Sequence, residues 1–104
     1  DLGASAAYWA ASQAERVVAN NNTALVGSIG TLLVVYDLSG AADKEGIKTH
    51  VFGTGPIKGA GTPGSVVSDE QQAYFRGIVN DAQVEFDAAV RKGRGLTDKQ
   101  LASV

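Results

Sequence analysis

The chain has 104 residues, thirteen glycines, two prolines and no cysteine, which suits one compact domain or a piece of one. A net charge of -2, with no basic run interleaved with aromatics, excludes an electrostatic binder of nucleic acid or anionic lipid. The lack of cysteine excludes a thiol nucleophile and a disulfide framework. No apolar stretch approaches the ~20 residues that span a bilayer, so a membrane would be reached only through a segment absent from this chain.

Residues 4–16 are rich in alanine and apolar on nearly every face, the pattern of a buried helix. Residues 17–19 form a short apolar run stopped by Asn20-Asn21-Asn22, as in a buried strand and turn. Residues 23–29 are a second such segment, and residues 31–36 are the clearest strand. Asp37-Leu38-Ser39 opens a short helix that Gly46 closes. Residues 48–52 alternate polar and apolar side chains as in another strand. Residues 53–67 are a glycine-rich loop with Pro56 and Pro63, long enough to suggest a function. Ser68-Asp69-Glu70-Gln71 has the form of a capping box. A long helix follows, with Phe75, Ile78, Val79, Ala82, Phe86, Ala89 and Val90 at helical spacing. Gly93 or Gly95 ends it. Residues 96–100 open one more helix. Strands alternating with helices predict an α/β fold. Both ends read as cut, so the expectation is a fragment or processing product.

Ser5 lies between a glycine-containing turn and the start of an apolar helix, where backbone N–H groups are unsatisfied. A nucleophile there would have the Ala6 N–H as an oxyanion donor, although a plain N-cap serine has the same local pattern. A serine nucleophile needs a base. The single histidine, His50, falls on a strand face with Lys48 and Phe52, where a surface imidazole is favoured and a Ser-His arrangement stays open. A lysine can serve when burial brings it from about 10.4 toward 7–8. Lys58 stands among small and apolar residues, whereas Lys44, Lys48, Lys92 and Lys99 stand in charged stretches. Composition alone favours reading Lys58 as an exposed loop lysine. A phosphate-loop reading of residues 53–59 fails, because the lysine precedes the glycine and no helix follows at once. Asp81 and Glu85 read as a solvated helix face. One histidine and no cysteine leave no set of metal ligands, and no cofactor is expected.

Ala4-Ser5-Ala6-Ala7-Tyr8-Trp9, Ala10-Ala11-Ser12-Gln13-Ala14, Val17-Val18-Ala19-Asn20 and Val26-Gly27-Ser28-Ile29-Gly30 together resemble the signal peptide peptidase (protease IV) family of Ser/Lys-dyad peptidases. That family includes phage prohead and capsid-maturation peptidases. Its nucleophile falls on Ser5, and its lysine, three residues beyond a glycine, falls on Lys58 after Gly55. Pro63, Ser68-Asp69-Glu70 and Arg94-Gly95-Leu96 continue the likeness in register. Ala6-Ala7 in place of two glycines is similar to the phage-type branch. Pro56-Ile57 replaces a polar pair, and Val66 stands where a second proline is frequent.

The resemblance implies a serine endopeptidase that cleaves a peptide substrate through an acyl-enzyme, with Ser28 orienting the lysine. It implies a fold of stacked β-β-α units like those of the ClpP/crotonase group. Residues 1–104 would be a single partial, C-terminal peptidase domain. It also implies a homo-oligomer with active sites at subunit interfaces. The role would be removal of signal-peptide remnants at a bacterial membrane or in the cytoplasm, or maturation of a phage prohead. A noncatalytic assembly domain that keeps the fold is the alternative.

Overall fold

A computed structural model describes residues 1–103. They divide into two compact units, one built from residues 1–31 and 80–103, the other from residues 32–79.

The first unit opens with strand β1 (Leu2–Ala4), passes through Ser5 into helix α1 (Ala6–Ala11), and returns to strand β2 (Leu25–Gly27). The strands pair in parallel, with Leu2 opposite Leu25, Gly3 opposite Val26 and Ala4 opposite Gly27. A parallel pair needs a long crossover, and α1 with the loop behind it supplies one. The unit is thus a β-α-β element of the expected α/β class. Helix α1 is shorter than the 4–16 expected. The Ser12 hydroxyl donates to the Trp9 carbonyl at 2.7 Å, and the Gln13 N–H donates to Ala10 three residues back at 3.2 Å. These bonds tighten and end the helix. None of its residues is buried, contrary to the pattern of alanines, because the residues described bring little to cover its outer faces.

The second unit carries helix α2 (Ser39–Lys44). The Asp37 carboxylate accepts the Ser39 N–H at 2.9 Å and hydroxyl at 2.5 Å just before it. Gly46 at φ 72° lets the chain leave it. Residues 31–36 and 48–52, expected as strands, carry no strand ladder. Residues 17–19 carry none either. A strand exists only where a neighbouring strand completes a ladder, and among the described residues no such ladder forms along these runs. Several of their large apolar side chains stay in solvent, with Leu32 83% and Phe52 97% exposed.

Helix α3 (Asp69–Arg94) has Asp69 and Glu70 in its first turn and Arg91, Lys92 and Arg94 in its last, as its dipole favours. Ser68 accepts the Gln71 N–H at 3.2 Å, but the Gln71 side chain does not return to Ser68. Its amide donates to the Pro56 carbonyl at 3.0 Å instead, so the capping box forms by half. Gly95, at φ 63°, ends the helix with the Leu96 N–H bonded to the Arg91 carbonyl at 3.1 Å, a Schellman arrangement. Helix α4 (Asp98–Leu101) starts from a complete capping box between Thr97 and Gln100.

The buried apolar side chains are few. Val67 serves the second unit, and Phe86 and Val90 on α3 serve the first. Trp9 stacks on Phe86 with ring centroids 4.7 Å apart and planes within 7°. Such a pair contributes about 0.5–1.5 kcal/mol beyond its area. Phe86→Ala should therefore lower stability by about 3–5 kcal/mol, and Phe86→Leu by less. Denaturant unfolding followed by emission of Trp9, the only tryptophan, measures both.

Candidate active site

Ser5 occupies the single residue between β1 and α1. Its N–H donates to the Gly27 carbonyl at 2.8 Å, extending the parallel ladder by one bond, and its own carbonyl accepts from Trp9 N–H at 2.9 Å, the first bond of the helix. The turn demanded by both places Ser5 at φ 55° and ψ -128°, a conformation that favours glycine and costs a serine about 1–3 kcal/mol. The residue is exposed. Although Ser5 stands at the N-cap position, its hydroxyl makes no capping hydrogen bond. Ala6 follows as the first helical residue and is also exposed.

Ser28 comes directly after Gly27, whose carbonyl holds the Ser5 N–H. The pair leaves β2 through two positive-φ residues, Gly27 at 96° and Ser28 at 51°. Ser28 is exposed. An apolar cleft of about 210 Å³ lies beside β1, with Leu2, Tyr8, Val18 and Val26 among its walls.

Lys58 belongs to the second unit. Its N–H donates to the Gly55 carbonyl at 3.2 Å, and further tight turns run from Ala60 to Ile57, Thr62 to Gly59 and Ser65 to Thr62. The loop of residues 53–67 is thus a chain of turns without helix or strand, as its composition suggested. Two glycines allow close packing here. A Cβ on Gly53 would lie 2.7 Å from the Lys58 carbonyl oxygen, and one on Gly59, at φ 91°, would lie 2.6 Å from a Val51 methyl. Gln71 binds the loop at Pro56. Asp37 binds its far end, accepting the Val67 N–H at 3.0 Å. The Lys58 side chain is exposed, and among the described residues it makes no ion pair. His50 is exposed as expected, its ring 6.5 Å from that of Phe52 on the same side of the chain.

Ser5, Ala6 and Ser28 therefore share one unit, and Lys58 lies in the other. The sequence marks Asp37 and Gln71 only as helix-start residues, whereas both also brace the lysine loop. The Asp-x-Ser pattern at Asp37 is a signature of side-chain-to-backbone turns and could have drawn attention to it. Nothing local signals that Gln71 reaches Pro56. Among the described residues no group of three or more histidine, aspartate or glutamate side chains could hold a metal ion. Among them, too, no helix is long and apolar enough to cross a membrane.

A family model described as Peptidase family S49 matches residues 1–104. The chain is 29% identical over 96 residues to a protein bearing the name of a protease in Methanocaldococcus jannaschii, covering 92% of this chain and 30% of that protein. It is 27% identical over 101 residues to another so named in Synechocystis sp., covering 97% and 36%. It is also 27% identical over 96 residues to a protein named for signal peptide peptidase SppA in Enterococcus faecium, covering 92% and 28%. The chain spans about a third of the length of the curated relatives it matches.

The Asp37 carboxyl is held below its ordinary value of 3.8, first by the Ser39 hydroxyl and then by the Val67 and Ser39 N–H groups. A lowered folded-state value means that its bonds stabilise the unit fully above about pH 4 and are lost as pH falls through that lower value. Asp37→Ala should remove this acid-side loss and speed exchange of the Val67 and Ser39 amides several-fold at neutral pH. Hydrogen exchange at those two amides is the measurement.

Proposed function

Because this chain belongs to peptidase family S49, we propose that it forms part of a serine peptidase domain in which Ser5 is the nucleophile and Lys58 the general base. The observation that carries this reading is the state of Ser5. Its hydroxyl is exposed on a strained strand-to-helix turn and is not used to cap the helix it precedes. A sharp turn of this kind is how a nucleophilic serine is lifted clear of its own backbone. An ordinary N-cap serine would use the hydroxyl on the helix.

In the proposed reaction the neutral Lys58 amine accepts the Ser5 proton as Oγ attacks the peptide carbonyl. The oxyanion takes the Ala6 N–H, the group of the residue after the nucleophile, and a second donor from outside this chain. Collapse breaks the peptide C–N bond, and the leaving amine takes the proton from the Lys58 ammonium. Water, deprotonated by Lys58, then attacks the acyl-enzyme and releases the acid and the Ser5 hydroxyl. Ser28 accepts a hydrogen bond from the lysine and orients its lone pair. Its place, one residue after the carbonyl that holds Ser5, supports that role. Freedom of Lys58 from ion pairs among the described residues suits a base, since a carboxylate partner would keep it protonated. The apolar cleft beside β1 suits small or apolar side chains near the scissile bond.

The proposed fold of the whole domain is the stacked β-β-α architecture of the ClpP/crotonase group, of which this chain is one part. The runs at residues 31–36 and 48–52 would gain their neighbours from the rest of that domain. Leu32, Tyr36 and Phe52 are too exposed for a finished surface. This supports an oligomer in which surroundings for Lys58 come from another segment or subunit. Degradation of signal-peptide remnants is the favoured role, in line with the name of the Enterococcus relative. Maturation of phage capsids would use the same residues. The exposed Tyr74, Ile78 and Val84 of α3 suit a packing surface, so an assembly domain without catalysis is the second reading.

A fluorophosphonate should label the assembled protein at Ser5. Ser5→Ala abolishes labelling. Lys58→Ala slows peptide hydrolysis about 10²–10⁴-fold, and Lys58→Arg does not restore it, because a guanidinium stays protonated. Full turnover in both alanine variants would refute the dyad, and no labelling of the wild type supports the assembly role.

A further inference from the structure

We infer that Gly93 is a positioning residue for the nucleophile, setting the tilt of α1 and with it the backbone turn at Ser5. The inference rests on Ser5 being that nucleophile.

The turn at Ser5 persists only if its flanks are held. The strand side is held by pairing with β2. The helix side is weaker. Helix α1 has six residues, no side-chain cap, no charged residue suited to either end and no buried residue. A helix so short does not hold itself together, so its position comes from what it touches.

Those contacts converge on one face of α3. Trp9 lies flat on Phe86. Gln13 donates to the Ala89 carbonyl at 2.9 Å and to the Ser12 hydroxyl at 2.8 Å. Arg94 donates to the Ala14 carbonyl at 3.0 Å. Ser12, immediately after α1, is 0% exposed. Residues 86, 89 and 93 follow helical spacing, so they share a face, and the long Arg94 side chain reaches Ala14 from beside it.

At the centre the backbone of Ser12 meets Gly93. A Cβ built on Gly93 would overlap the Ser12 carbonyl oxygen and lie 2.8 Å from its carbon and 3.0 Å from the Gln13 amide nitrogen. The obstacle is backbone, which cannot swing aside. Glycine is also a poor residue inside a helix, and Gly93 has no positive φ to explain it. Its use is the close approach. Any side chain there pushes the end of α1 away from α3. Ser5 is seven residues up the chain, joined to Trp9 by the first helical bond, and it turns with the helix.

The test is fluorophosphonate labelling of the protein in its natural assembly, with Trp9 emission read in parallel. In Gly93→Ala the maximal labelling rate should fall at least tenfold while the half-saturating probe concentration stays within twofold. Trp9 emission should shift to the red. A generally loosened fold would move both kinetic constants. A maximal rate within twofold of wild type despite the red shift overturns the positioning role. If Gly93→Ala does not fold, Gln13→Leu carries the same test, since it removes only the bonds that seat Ser12. A slowed maximal rate supports the role, and an unchanged rate overturns it. Absence of labelling in the wild type overturns the nucleophile assignment, and this inference with it, a result separate from either of those.

Discussion

A serine held at φ 55° between a strand and a helix is a restraint that the rest of its unit has to satisfy. The Ser5 N–H must stay on β2 while its carbonyl starts α1. Neither element is long enough to enforce that alone. The enforcement comes from residues far along the chain, at Phe86, Ala89 and Gly93, where the end of α1 is seated. Phe86, Val90 and Ser12 are the most deeply buried side chains. The small core of this unit therefore sits where it braces the turn of the proposed nucleophile. The contacts that stabilise this unit are also those that hold the strained turn, the arrangement expected if the proposed site stores that strain.

The loop that carries Lys58 shows a different solution. It is rich in glycine, which is commonly read as freedom. Here Gly53 and Gly59 are places where another part of the chain comes too near for a Cβ. Successive tight turns, the Gln71 amide and the Asp37 carboxylate fill in the remaining bonds. Glycine in this loop buys compactness for the backbone that carries Lys58.

The exposed apolar runs follow from the same physics on a larger scale. Leu32, Val34 and Tyr36 have the composition of a strand covered on both faces, yet they face solvent. A chain of this size cannot supply every neighbour its strands require. The matched relatives are about three times as long. The surface that stays apolar in these residues is the one that the proposed domain and its oligomer would cover.

Much was legible in the sequence wherever the deciding interaction is local. Helix α2, the stripe of α3, the stop at Gly95, the helix after Thr97 and the irregular loop of residues 53–67 all depend on residues a few positions apart. Motif context singled out Ser5 and Lys58, which stand as proposed site residues, and alternation gave the α/β class. Tertiary structure alone decided the length of α1, the absence of ladders at residues 31–36 and 48–52, the positive φ of Ser5 and Ser28, and the different tasks of Gly93 and Gly95. The physical reason is separation along the chain. A cap or a helical stripe is written within one or two turns, whereas the Ser12 carbonyl meets Gly93 only after some eighty intervening residues have folded back.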